Sequence, residues 1–185
     1  MGLGWIVDKA RNGLLASGAR GPKALQAIPE ASWESDPAVA GVVAALRGLG
    51  FQRIGTFQTT QEPRNELGAL YFPQAHFYGL VHPPAGGRVE FELCCQLDDF
   101  AGVSVTNSAQ LDTWHDSPGN LTHRFPDAPV GVVFSNLLQK TSGHDRLPAS
   151  PDTFICDFER ALTRKLEWRQ RQEAALKVLA ERKAS

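Results

Sequence analysis

The sequence predicts an α+β fold, a four-stranded antiparallel meander covered on one face by helices, the last of them long. Three observations carry this. In residues 88–97, Val89, Phe91, Leu93, Cys95 and Leu97 alternate with Arg88, Glu90, Glu92, Cys94 and Gln96, which gives a strand one apolar and one polar face. The alternation resumes beyond the turn at 98–102, with Val103 and Val105 inward and Ser104 and Thr106 outward, and a sheet wet on one side is usually antiparallel. Three segments of helical period flank this sheet and can cover its apolar face.

Residues 1–35 form an N-terminal arm. Leu3, Ile6, Val7, Ala10 and Leu14 approximate a helical stripe, broken at 17–23 by a Gly/Pro-rich run. This stripe can dock on the core, meet a partner or lie on a membrane surface. Docking is favoured, because Gly2, Gly4 and Gly13 weaken a free helix and the polar face is not strongly basic.

The core domain spans 36–150. Asp36 and Pro37 form a helix start, Val39, Val42, Val43 and Leu46 the buried stripe of a helix over 37–48, and Gly48 or Gly50 its end. A first strand follows around Phe51, Ile54, Thr56 and Phe57. Residues 61–66 read as a loop, and Pro73 after Gly68–Phe72 marks an edge or bulge. His76–His82 is the second strand and 83–87 a turn; the alternating pair supplies the third and fourth. Residues 109–128 read as a long polar connection, and loops of that length tend to be functional or mobile. Val130, Val133, Phe134, Leu137 and Leu138 mark a helix over about 129–142.

Ser150, Pro151 and Asp152 start the last element, a C-terminal helix over 151–183 within the segment 151–185. Phe154, Ile155, Phe158, Leu162 and Leu166 pack on the core. Nothing breaks the helix before Ala184, so it runs to about 45 Å and overhangs the sheet, with a revived apolar stripe at Leu176, Val178 and Leu179. Arg160, Arg164, Lys165, Arg169 and Arg171 interleave with Glu159, Glu167 and Glu173 as a solvated face laced with ion pairs.

A chain of 185 residues folds without metal or disulfide support. Its net charge of −1 and lack of a basic block argue against nucleic acid. Three cysteines without framework spacing suit a reducing compartment; with neither a signal-peptide pattern nor a long apolar run, a cytoplasmic protein is expected. Attachment to a membrane surface ranks lowest.

Chemistry-bearing residues gather at two places. Trp114, His115, Asp116 and His123 lie in the polar connection, where His115, Asp116 and His123 are candidate catalytic groups, a base with its orienting acid or metal ligands. No metal site is assigned, because no ligand spacing is present. His76, Tyr78 and His82 fall in one row on the second strand and are candidate binding residues. Glu90, Glu92 and Thr106 on the polar face, with Trp114, complete that set. Asp98 and Asp99 are better explained as turn residues. No cofactor motif occurs.

The expected function is therefore a non-enzymatic binding or protein-interaction domain, engaging another protein or its own copy through the C-terminal helix. The alternative is a small metal-assisted hydrolase with its site on the 111–124 loop.

Overall fold

The computed structural model describes residues 25–59, 65–99, 101–110 and 119–184. The arm's apolar stripe, Trp114, His115 and Asp116 lie outside the described residues.

The fold is α+β, with a seven-stranded sheet in strict sequence order. Its strands are β1 (Leu25–Ile28), β2 (Gln52–Thr59), β3 (Glu66–Phe72), β4 (Phe77–Val81), β5 (Phe91–Gln96), β6 (Gly102–Thr106) and β7 (Asn120–Arg124). The helices are α1 (Pro37–Gly48), α2 (Val130–Lys140) and α3 (Phe154–Ala184), with a short 3-10 helix at Ser32–Ser35. Neighbours from β1 to β6 pair antiparallel, and β6 pairs with β7 in parallel.

Seven strands replace the expected four, and each extra one has a physical reason for being hard to read. β1 lies in the expected arm; it is four residues long and buries only Leu25 fully, too little for a visible alternation. β3 sends Leu70 and Phe72 to one side and Leu67, Ala69 and Tyr71 to the other, and both sides are buried. A strand covered twice has no polar face to alternate with. Pro73 opens the turn that returns β3 into β4, a role compatible with its missing N–H. β7 lies in the expected loop; Asn-Leu-Thr-His-Arg has little apolar signal, and its parallel pairing follows a connection of the length a crossover needs.

The second correction concerns the layers. α1 and α2 pack through Val39, Leu46, Val130, Val133 and Leu137 on the sheet side that carries Phe51, Phe77, Phe91, Leu93, Cys95, Val103 and Val105. α3 packs on the opposite side, where Phe154 and Phe158 meet Leu25, Phe57, Tyr78, Leu80 and Cys94. The helices therefore cover both faces. The side expected to be wet is closed: Glu92, Ser104 and Thr106 are fully buried. Alternation in 88–106 distinguishes polar from apolar side chains, and here the polar set has been roofed over rather than left in water.

Local chemistry sets the helix ends. Asp36 accepts from Ala38 N at 2.8 Å with Pro37 in the first turn, and Gly50, at φ 106°, reverses the chain into β2. α3 starts three residues later than Pro151 implies: Ser150 and Thr153 exchange backbone-to-hydroxyl bonds at 3.2 and 3.1 Å, and Asp157 N donates to Thr153 O at 2.9 Å. α3 is 31 residues, about 46 Å, and its side chains from Gln170 to Lys177 are all exposed.

Candidate functional site

The interface between the sheet and α3 gathers the most polar chemistry. The Tyr78 hydroxyl, projecting from β4, donates to the Asp157 carboxylate at 2.8 Å and lies 3.0 Å from both Ser150 O and Thr153 Oγ1. Burial, and then the Asp157 charge among other causes, raises its pKa, so the phenol stays neutral. His76 occupies the β3–β4 turn at φ 55°, a left-handed conformation that a non-glycine residue adopts at a cost. Its Nδ1 lies 3.2 Å from Ala149 O and 3.4 Å from the Tyr71 hydroxyl. His76 and Tyr78 thus hold the 149–157 segment against the sheet.

Further along, Ser104 donates to the Glu92 carboxylate, and Thr106 donates to Phe91 O at 2.7 Å. Cys94 lies in the same layer; burial and the nearby Glu92 charge hold its thiol well above the ordinary range. Lys165 of α3 is buried and has a polar or electrostatic interaction of its own, its long stem able to pack along apolar surface. At the β5–β6 turn, Asp98 accepts from Ala101 N at 2.7 Å, the turn chemistry expected of it. Asp99 receives a hydrogen bond from Arg164 on its carbonyl and lies 4.0 Å from Arg160 through its carboxylate.

A separate concavity of about 460 Å³ opens at the far end of β5 and β6. Arg88, Glu90, Asn107, Ser108, Gln110 and Asp127 are among its lining. Its polar groups largely satisfy one another: Ser108 donates to Glu90, Arg88 pairs with Asp127 at 3.2 Å, and Asn107 bridges the backbone of Phe91 and Val89 at 2.8 and 3.0 Å. Such groups give shape to the β5–β6 end; none of these bonds points to a particular ligand.

The expected site residues that are described do not converge. His76 and Tyr78 hold the start of α3, Glu92 and Thr106 lie in the buried layer, and Glu90 lines the concavity. His82 is half-buried beyond β4; its Nε2 is buried without a hydrogen-bond partner among the described residues, and burial lowers its pKa to about 4. His123 stands opposite Val105, on the side of the sheet that carries α1 and α2; burial and the Lys140 ammonium lower its pKa. It is therefore across the sheet from Tyr78. Among the described residues, no three His, Cys, Asp or Glu side chains are grouped to hold a metal ion.

The partners of Tyr78 (Ser150, Thr153 and Asp157) went unread in the sequence, as did buried Lys165. They sit more than 70 residues from Tyr78, and nothing in a helix start signals which strand it will meet. The third locus is the projecting part of α3, where Leu176 is 63% exposed. Comparison with family models, curated proteins and solved structures finds no match for this chain.

Proposed function

We propose that this chain is a protein-interaction module that pairs with a second copy of itself through the projecting half of α3. The observation carrying this reading is the run of exposed side chains from Gln170 to Lys177, with Leu176 the most exposed large apolar residue described. A helical segment of this length gains little from its own hydrogen bonds in water, since isolated helices below roughly 12–15 residues are marginal. Packing against another surface supplies the missing stabilisation.

The sequence argues for a second copy as that surface. The sequence sets Arg171, Lys177, Arg182 and Lys183 among Glu173 and Glu181, so a second copy carries charges of both signs to pair with, and Leu176 and Leu179 are three residues apart. An isologous pair is also the commonest closed arrangement of like chains. Sedimentation velocity on Leu176→Glu tests this. The wild-type chain sediments as a dimer and the variant as a monomer; a variant that keeps the wild-type mass distribution contradicts the reading.

A further inference from the structure

The two layers that cover the sheet are not equally anchored. On one side, two helices bury five aliphatic side chains against the sheet, and Phe134 packs edge-on against Phe51, Phe72 and Phe77. On the other, the described side chains of α3 that are fully buried are Phe154, Phe158, Ala161 and Lys165, with Ile155 partly buried beside them. On this side of the sheet the apolar patch that Phe154 and Phe158 cover gives way to buried Glu92, Ser104 and Thr106.

Polar attachments of α3 include two places, and buried Lys165 makes an interaction of its own. Tyr78 and His76 hold the 149–157 segment, and Arg160 and Arg164 meet the β5–β6 turn at Asp99. Arg160 and Asp99 are both largely exposed, so their attraction is small and screened by salt. The 144–153 connection has no regular structure apart from turns, and supplies a hinge. Elements with little buried apolar area open at lower free energy than the rest of a domain.

We infer that α3 is a hinged strap: its docked half lifts from the sheet as a unit about the 144–153 connection while the other layer stays closed. Lifting uncovers a polar surface made by Tyr78, Glu92, Cys94 and Ser104, which the closed form hides. This motion stands on observations separate from the pairing of projecting helices, and a monomer can carry it out.

The chain contains its own reporters. Cys94 and Cys95 are neighbours on β5, but Cys94 faces α3 and Cys95 faces the α1–α2 layer. Both are buried, while Cys156 is exposed. Alkylation of native full-length Cys156→Ser protein with N-ethylmaleimide, read by fragment mass spectrometry, therefore separates the opening of the two layers. The strap predicts Cys94 modified at least about tenfold faster than Cys95, since local openings span free energies well below global unfolding. Tyr78→Phe, which removes the hydroxyl that holds Ser150, Thr153 and Asp157, is expected to speed Cys94 several-fold and leave Cys95 unchanged. Equal rates at the two thiols, or acceleration of both together in Tyr78→Phe, overturn the proposal.

Discussion

The Tyr78 hydroxyl donates to the Asp157 carboxylate at 2.8 Å, joining the middle of the sheet to the first turn of α3. Tyr78 is buried, so removing its hydroxyl takes a close donor from Asp157, whose Arg160 partner is 3.9 Å away. Tyr78→Phe is expected to lower the unfolding free energy by roughly 1–3 kcal/mol, the range for unsatisfying buried polar partners. Asp157→Asn, which keeps an acceptor oxygen, is expected to cost less. Urea unfolding followed by circular dichroism measures both, and an Asp157→Asn loss larger than that of Tyr78→Phe speaks against the assigned bond.

Phe154 is the main apolar anchor of α3, with ring centroids 5.1 Å from Phe57 and 5.2 Å from Tyr78. Phe154→Ala is expected to cost about 3–5 kcal/mol, as for other buried phenylalanines. Leu176→Ala, at concentrations where the chain is monomeric, is expected to stay within about 0.5 kcal/mol of wild type. The contrast separates the docked from the projecting half of one helix in a single set of melting curves.

His82 makes stability depend on pH. Its folded pKa, about 4, lies below the ordinary 6.5 because burial disfavours the imidazolium. The unfolded chain therefore takes up the proton first. The contribution is fully present above 6.5 and is lost as pH falls through about 4, an effect of roughly 3 kcal/mol at its limit. Thermal melts between those pH values are expected to show stability falling with acid in wild type and a flatter profile in His82→Leu. Identical profiles would place the histidine in solvent.

A Cβ at Gly79, in the centre of β4, comes within 3.3 Å of a Leu93 methyl and 3.4 Å of the Phe51 ring. Both neighbours belong to the layer packed under α1 and α2 and have little room to yield. Gly79→Ala is accordingly expected to cost about 1–3 kcal/mol by overpacking. A melting temperature equal to or above wild type shows that this layer is looser than the contacts imply.

The α+β class, the three helices and the opposition of Cys94 to Cys95 were legible in the sequence, because helical and strand periods report which residues share a face. The closing of the polar face was not. Glu92 and Thr106 have the polarity of solvent-facing strand residues, and their burial depends on where α3, which starts 62 and 48 residues further on, returns to the sheet. β3 was hidden for the converse reason, since burial on both sides erases its alternation. Of the candidate binding residues, Tyr78 stands out in the sequence for its amphipathic ring, and its hydroxyl bonds the start of α3.

The account rests most heavily on the projecting half of α3. Light scattering on the full chain and on a chain ending at Gln170, from low to high micromolar concentration, tests it directly. Self-pairing through α3 gives a dimer mass for the full chain, reached as concentration rises, and a monomer mass throughout for the shortened one with its melting temperature little changed. A full chain that remains monomeric across the range, or a shortened chain that still dimerises, contradicts it.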